Sequence, residues 1–216
     1  MSGIEDLAHH LRPADGDPEG ALVLLHGRGT SEDDIAPLFD EIDPDSRLVG
    51  VAPRGPLSLP PGGAHWYVVQ RVGFPEPGTF FPTLERLTAW FDALPETIGV
   101  PVERTVLGGF SQGAVMAYAL ALGDGRPRPA GLIALSGFIP TVDGFALDLD
   151  DLDGYPVAIG HGTFDPVIEA EFGRAARKRL EDAGAAVTWR ESPIPHTVDP
   201  GFVAELKPFV RAALNR

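Results

Sequence analysis

Short apolar runs alternate with longer amphipathic stretches along the 216-residue chain, and this alternation constrains the fold more than any other sequence feature. Six runs of three to six residues are apolar on both faces and end at glycine, proline or polar residues. They cover residues 21–25, 47–52, 105–107, 131–135, 156–159 and 187–189. Runs of this length and composition are typical of parallel strands buried on both faces.

Between these runs, apolar residues recur at helical spacing. The predicted helices cover residues 31–39, 83–94, 114–122, 168–183 and 201–214. The first begins with Ser31 and carries Asp34 three residues later, as in a capping box. Strands that alternate with helices predict an α/β fold, with a mostly parallel central sheet covered by helices on both faces and no separate cap domain. We expect one domain over residues 21–216, preceded by an N-terminal segment at residues 1–20.

Composition excludes several classes of protein. The chain has no cysteine, which excludes disulfide frameworks, thiolate nucleophiles and cysteine-zinc sites. Its 17 basic and 31 acidic side chains give a net charge of −14, which disfavours nucleic acid and anionic membranes as partners. No apolar run approaches the ~18 residues of a membrane span, and the polar residues 1–18 lack the pattern of a secretory signal. We expect a cytoplasmic protein without stable membrane insertion.

The strongest chemical signal is Gly-Phe-Ser-Gln-Gly at residues 109–113, which fits the pattern G-x-S-x-G. It directly follows a predicted strand and directly precedes a predicted helix. In that context the chain turns sharply and exposes the serine, here Ser111, at the edge of the sheet. The helix N-terminus directs its free N–H groups to the same place. The sequence therefore predicts Ser111 as a nucleophile.

A nucleophilic serine needs a histidine to take its proton and an acid to orient that histidine. In this fold class the acid follows the serine and the histidine comes last. Only His161 and His196 follow Ser111. His196 lies in the loop before the last predicted helix and is the predicted base, whereas His161 ends a predicted strand and is expected to pack behind the site. Asp165 lies between them and is the predicted acid, and helix capping is a second role open to it.

Acyl transfer also needs two N–H donors for the oxyanion. One is predicted from Gln112, the residue after the nucleophile. The other is predicted from Arg28, in the loop after the first strand, because Gly27 allows the chain to approach closely. His26 is expected to pack within that loop. The Arg28 side chain has two roles open to it: contact with polar groups of the substrate, or exposure to solvent.

The segment at residues 53–82 interrupts the alternation, since it is rich in proline and glycine and also carries aromatic side chains. We predict an ordered loop over the sheet. Its rings are the candidates for the apolar wall of the substrate site: Trp66, Tyr67, Phe80 and Phe81. For Phe80 and Phe81, packing in the core is the alternative.

No sequence pattern indicates a cofactor. Five aspartates lie within residues 143–153, but Leu152 stands where a calcium loop would need its third ligand, so a solvated acidic turn is expected. The chain has no H-E-x-x-H, no Walker loop and no G-x-G-x-x-G. We predict neither a metal ion nor an organic cofactor.

Taken together, the motifs resemble those of the phospholipase/carboxylesterase family of serine hydrolases, which includes acyl-protein thioesterases and many small bacterial carboxylesterases. The matching motifs are His-Gly-Arg-Gly at 26–29, Gly-Phe-Ser-Gln-Gly-Ala at 109–114, Ser-Gly-Phe-Ile-Pro at 136–140, His-Gly-Thr-Phe-Asp at 161–165 and Pro-His at 195–196. The resemblance covers residues 21–214 and implies an α/β-hydrolase fold. It implies Ser111, Asp165 and His196 as the catalytic triad and the N–H groups of Arg28 and Gln112 as oxyanion donors. The Arg28 side chain departs from the small or apolar residue usual there.

The residues and the resemblance predict a serine carboxylesterase that hydrolyses short- to medium-chain esters of small molecules through an acyl-serine intermediate. An acyl-thioesterase or a lysophospholipase is the alternative within the family, because the chemistry at the carbonyl is shared. A catalytically silent binding protein of the same fold is the alternative from another class. A dienelactone-type hydrolase is disfavoured, since its nucleophile is usually cysteine. A homodimer is left open.

Overall fold

In the computed structural model, which describes residues 6–216, a seven-stranded sheet forms the centre of the molecule. The strands are β1 (His9–Arg12), β2 (Gly20–Leu25), β3 (Leu48–Pro53), β4 (Leu57–Leu59), β5 (Gly63–His65), β6 (Val69–Arg71), β7 (Phe74–Pro75), β8 (Thr105–Phe110), β9 (Gly131–Leu135), β10 (Pro156–Gly162) and β11 (Ala186–Ser192). The order in the large sheet is β1-β3-β2-β8-β9-β10-β11. All neighbouring strands in it are parallel except β1, which runs antiparallel to β3 at one edge.

Helices cover both faces of this sheet. They are α1 (Glu32–Ile35), α2 (Pro37–Ile42), α3 (Pro77–Ile98), α4 (Gln112–Leu122), α5 (Ala170–Asp182) and α6 (Pro200–Leu214). Successive side chains of a strand point to opposite faces, so Val23 of β2 packs in the core shared with α3, α4 and α5, whereas Leu24 packs in the core shared with α1, α2 and α6. Every residue of α4 is buried. The predicted α/β fold is confirmed.

Two regions differ from the prediction. The strand β1 comes from the predicted N-terminal segment, of which residues 1–5 lie outside the described residues. The predicted loop at 53–82 instead contains two antiparallel hairpins, β4–β5 and β6–β7. It also ends earlier, because α3 begins at Pro77, where Glu76 accepts hydrogen bonds from the N–H groups of Gly78 and Thr79. The loop assignment of residues 77–82 was therefore wrong: a side-chain cap and a proline at the first helical position start the helix before Pro82.

The parallel strands end at a common edge, and this edge positions the candidate site. Leu25 of β2 pairs with Gly109 of β8, and Leu135 of β9 pairs with both Phe110 and Gly160. The loops after β2, β8, β9 and β10 therefore leave the sheet side by side. In open α/β sheets, ligands bind at this carboxyl edge.

Candidate active site

Ser111 lies in the sharp turn between β8 and α4, with φ 56° and ψ −120°. A positive φ is uncommon for a residue with a Cβ and costs of order 1–3 kcal/mol, so surrounding contacts must hold the turn. The Ser111 N–H donates to the Leu135 carbonyl at 2.9 Å. Gly113 approaches β2 so closely that a Cβ there would lie 2.0 Å from the Leu25 carbonyl oxygen. The pattern G-x-S-x-G thus corresponds to a strained turn packed against the end of a neighbouring strand.

Three side chains form a continuous hydrogen-bonded line across the sheet edge. His196 Nε2 lies 2.9 Å from Ser111 Oγ, and His196 Nδ1 lies 2.6 Å from Asp165 Oδ2. Because a carboxylate only accepts hydrogen bonds, Nδ1 carries the proton and the lone pair of Nε2 faces the serine hydroxyl. The structure thereby brings together the three residues predicted as nucleophile, base and acid.

Main-chain groups orient the Asp165 side chain, which is fully buried. Its Oδ1 accepts the N–H groups of Val167 and Ile168, each at 2.8 Å. These two bonds turn Oδ2 towards His196. The capping role considered for Asp165 therefore coexists with its bond to the histidine, although the residues it caps form the turn before α5.

His161 lies behind Asp165, where sequence reasoning expected it. Its side chain is fully buried, and its Nε2 lies 2.8 Å from the Ile168 carbonyl oxygen and 3.7 Å from Asp165 Oδ2. Burial lowers the pKa of His161 below its ordinary value, which favours the neutral ring with the proton on Nε2. His161 thus fixes the turn that supplies the N–H groups for Asp165.

The loop that carries His196 is anchored on both sides. On the side of the acid, the Phe164 N–H donates to the Ile194 carbonyl at 3.1 Å. On the side of α6, Asp199 accepts the Ser192 hydroxyl at 2.5 Å. That bond, together with the Gly201 N–H and the Arg190 guanidinium, lowers the pKa of Asp199.

The ring of Phe110 packs 4.8 Å from the His196 ring, measured between centroids. Phe110 directly precedes the nucleophile in the chain, so the His196 ring is held by the nucleophile turn as well as by its own loop.

The two predicted oxyanion donors follow β2 and β8. Gly27 lies next to the nucleophile, since a Cβ at Gly27 would lie 3.5 Å from Ser111 Cβ. Among the described residues, the N–H groups of Arg28 and Gln112 have no hydrogen-bond acceptor. Both donors are thus free to meet a charge that develops beside Ser111.

Sequence reasoning assigned Gln112 only its N–H, but its side chain forms a buried link. Gln112 Oε1 accepts the Trp66 N–H at 3.0 Å, and Nε2 donates to the Tyr67 carbonyl at 2.9 Å. The Trp66 indole N–H in turn donates to the His26 carbonyl at 2.8 Å. This chain ties the nucleophile turn to the loop after β2. No local sequence signal could have shown it, because the partners are 40 or more residues apart.

His26 packs within its loop, as expected. Its Nε2 accepts the Gly55 N–H at 2.9 Å, and its Nδ1 lies 2.7 Å from the Gly27 carbonyl oxygen. The proton is therefore on Nδ1. Burial lowers the pKa of His26, so the neutral ring is favoured.

The four aromatic residues predicted for the substrate wall lie mainly in the core. Trp66 and Phe80 are fully buried, and Tyr67 is 2% exposed. Phe81 is partly exposed and packs edge-on against Phe80, with ring centroids 5.5 Å apart. Phe80 and Phe81 belong to α3 rather than to a loop, and packing between α3 and its neighbours explains their burial. In this structure Trp66, Tyr67 and Phe80 therefore contribute no open wall.

Two exposed apolar side chains close to the acid in sequence are ones that sequence reasoning did not select. Phe164 is 67% exposed and Val167 is 53% exposed, and they flank Asp165 in the chain. The sequence signal that could have identified them is their position within two residues of Asp165. We call these two exposed side chains the apolar rim of the acid.

Two features are absent from residues 6–216, a metal-binding cluster and a membrane-spanning helix. In this part of the chain, no group of three or more histidine, aspartate and glutamate side chains could hold a metal ion. Across the same residues, no helix is both long enough and apolar enough to cross a membrane.

Comparison with known proteins identifies the family. The family model for phospholipase/carboxylesterase matches residues 10–214. The chain belongs to the phospholipase/carboxylesterase family. It is therefore a hydrolase with the α/β-hydrolase fold, as the resemblance of its motifs implied.

Individual relatives agree with this membership. Acyl-protein thioesterase 1 of Candida albicans is 30% identical over 191 residues, which cover 80% of this chain and 82% of that protein. A putative hydrolase of Bacillus subtilis, MhqD, is 31% identical over 178 residues, covering 82% and 86%. Among solved structures, the carboxylesterase of Bacillus cereus matches with a TM-score of 0.81 and 25% identity, over 96% of this chain and 94% of that one.

Proposed function

We propose that this chain is a serine carboxylesterase that hydrolyses short- to medium-chain esters of small molecules, with Ser111, His196 and Asp165 as its catalytic triad. The observation that carries the proposal is the pair of hydrogen bonds at His196, 2.9 Å to Ser111 Oγ and 2.6 Å to Asp165 Oδ2. A binding protein of the same fold would have no need of all three side chains in this order.

The first half of the reaction forms the acyl-enzyme. Ser111 Oγ attacks the ester carbonyl while His196 Nε2 takes the hydroxyl proton. The carbonyl oxygen becomes an oxyanion, which the N–H groups of Arg28 and Gln112 stabilise. The intermediate then collapses: the bond to the alcohol breaks, and His196 donates the proton to the departing oxygen.

The second half releases the acid. Water takes the place of the alcohol, and His196 accepts one of its protons as the water oxygen attacks the acyl-serine carbonyl. Collapse of the second oxyanion breaks the bond to Ser111 Oγ, which recovers its proton from His196. Asp165 stays ionised throughout and stabilises the positively charged imidazole.

Support for short or medium acyl chains comes from what surrounds the triad. The rings of Trp66 and Phe80 are buried against the core rather than around an open channel. Next to the acid in the chain, the exposed apolar side chains are those of Phe164 and Val167. A long acyl chain would leave most of its methylene groups in water, and each buried methylene group contributes only ≈ 0.8 kcal/mol.

The test is hydrolysis of 4-nitrophenyl esters from acetate to palmitate by the wild-type chain and by Ser111→Ala. We expect activity that is highest for short or medium chains, and a loss of at least about three orders of magnitude in kcat for Ser111→Ala. Activity that survives in the variant would exclude Ser111 as the nucleophile. An optimum at palmitate would contradict the proposed chain length.

An acyl-thioesterase is the second candidate, because the Candida albicans relative carries that name at 30% identity. The triad chemistry is the same for both substrate types. Oxygen esters and thioesters of one acyl chain, compared by kcat/KM, separate the two candidates. The cytoplasmic location remains a prediction, and a homodimer is still open.

A further inference from the structure

Arg28 is an exposed cation beside the candidate oxyanion hole. In the part of the chain that the structure describes, its guanidinium has no hydrogen bond and no ion pair. This is unusual here, since twelve of the 15 arginines make a polar contact to another residue. Arg71, one of the other two exceptions, stacks on the Phe74 ring at 3.7 Å. Beside the candidate oxyanion hole, Arg28 therefore presents a guanidinium that no described side chain of this acidic protein neutralises.

The acidic residues that follow Arg28 in sequence do not supply that partner. Glu32 pairs with Arg54 at 2.8 Å, and Asp33 lies 2.9 Å from His10 Nδ1. Asp34 accepts the Ser31 hydroxyl at 2.7 Å and closes the capping box of α1. Each of these carboxylates is already engaged by another residue.

The main chain at Arg28 is fixed close to the reacting atoms. The Gly29 N–H donates to the Ala64 carbonyl at 2.8 Å, and the Ala64 N–H donates to the Thr30 carbonyl at 2.9 Å. On the other side, Gly27 approaches Ser111 closely, as described above. A substrate whose oxyanion meets the Arg28 N–H therefore lies within reach of the Arg28 side chain.

We propose that Arg28 binds a carboxylate of the substrate, so that the preferred substrates are esters or thioesters with a carboxylate a few atoms from the scissile carbonyl. This inference rests on the proposed function and names its substrate class. The planar guanidinium matches a carboxylate in a two-bond arrangement. A phosphate ester fits less well, because its charge of about −1.5 to −2 at pH 7 is repelled more strongly by this acidic chain.

The carboxylate belongs either to the acyl part or to the alcohol part of the ester. Paired substrates distinguish these two cases. The acyl pair is mono-4-nitrophenyl adipate against 4-nitrophenyl hexanoate. The alcohol pair is 4-butyryloxybenzoate against phenyl butyrate. For each pair the measured quantity is the ratio of kcat/KM for the charged ester to kcat/KM for the neutral ester. Both esters of a pair use the same Arg28 N–H as an oxyanion donor. Any effect of a substitution on that donor therefore cancels in this ratio.

The variants are Arg28→Lys, Arg28→Gln and Arg28→Glu, and Arg179→Gln is the matched control. Arg179 is also exposed and without a polar partner among the described residues, but it lies in the second half of α5. We expect the ratio for one pair to fall about fivefold in Arg28→Gln, as for an exposed ion pair. It should fall less in Arg28→Lys and more in Arg28→Glu. Raised salt should weaken the effect.

A ratio that is the same in wild type and Arg28→Gln for both pairs would overturn the inference. So would an equal fall in Arg179→Gln, since that would reflect net charge alone. Failure of the proposed function has a different signature: the neutral esters would then not be hydrolysed by the wild-type chain, or would still be hydrolysed by Ser111→Ala.

Discussion

The two halves of the candidate site are held in place by different kinds of contact. The nucleophile half, Ser111 with the loops that carry Arg28 and Gln112, is joined by buried side-chain hydrogen bonds from Gln112 and Trp66. The acid–base half, the loops that carry Asp165 and His196, is joined mainly by main-chain N–H groups. Its side chains at the rim are exposed.

This difference determines where sequence changes matter. A buried polar group that loses its partner costs about 1–3 kcal/mol, so the nucleophile half depends on a few individual side chains. Main-chain bonds persist through most substitutions, so the acid–base half tolerates changes at its rim. The chemistry, in contrast, depends on Asp165 and His196 as strictly as on Ser111.

The largest expected effect is chemical. Replacing Asp165 with Asn removes the carboxylate that holds the proton on His196 Nδ1, and the ring then presents the wrong tautomer to Ser111. We expect kcat for 4-nitrophenyl butyrate to fall by about 10⁴-fold, with little change in KM. Steady-state kinetics measure this, with Asp143→Asn as a surface control. A fall below tenfold would exclude Asp165 as the acid.

The largest structural effect is expected in the nucleophile half. In Gly113→Ala the new Cβ would lie 2.0 Å from the Leu25 carbonyl oxygen, so the turn must separate from β2. We expect a loss of about 3 kcal/mol or more in the free energy of unfolding. Gly62→Ala is the matched control, because a Cβ at Gly62 meets no atom within 4 Å. Urea unfolding with equal losses in both variants would contradict the close packing described.

The contrast between the halves is sharpened by removing one side chain from each. Gln112→Leu leaves the Trp66 N–H and the Tyr67 carbonyl without partners, and we expect a loss of about 1–3 kcal/mol in unfolding free energy. Phe164→Ala at the exposed rim should change it by less than about 0.5 kcal/mol. Thermal unfolding of both variants tests this. Equal effects would remove the distinction between the two halves.

The smallest expected effect is on pH dependence. Burial lowers the folded-state pKa of His26 and of His161 below the unfolded value of 6.5. The neutral rings therefore contribute stability that is fully present above pH 6.5 and is lost as the pH falls through the folded pKa. We expect the free energy of unfolding to decline below pH 6.5, and to decline less steeply in His26→Gln. If the free energy of unfolding declined equally steeply in that variant, His26 would not contribute to the pH dependence of stability.

Local patterns were sufficient to predict the six parallel strands. Five of them are almost wholly buried, and a strand buried on both faces must be apolar throughout. The sixth, β11, is a partly exposed edge strand, but it still carries a short apolar run. The nucleophile turn was also predictable, since its glycines stand next to the serine. The strand β1 was not, because His9–Arg12 is a half-exposed edge strand without an apolar run. Its place is set by pairing with β3, about 40 residues away in sequence.

The missed features of the site have the same origin. The side-chain role of Gln112 depends on Trp66 and Tyr67. These residues lie between the two hairpins, about 45 residues away in sequence. The burial of Phe80 depends on how α3 packs, and that of Trp66 depends on its contacts with His26 and Gln112. An aromatic residue in a proline-rich segment fits a substrate wall and a core equally well. Tertiary contacts, rather than local composition, decide such positions.

The central claim is that Ser111 is an activated nucleophile, and covalent labelling tests it most directly. The intact chain would be treated with a fluorophosphonate, and the adduct would be located by mass spectrometry of its peptides. We predict one adduct per chain, on Ser111, and none in Ser111→Ala or after unfolding in urea. A folded wild-type chain that stays unlabelled, or that is labelled on another serine, would contradict the account.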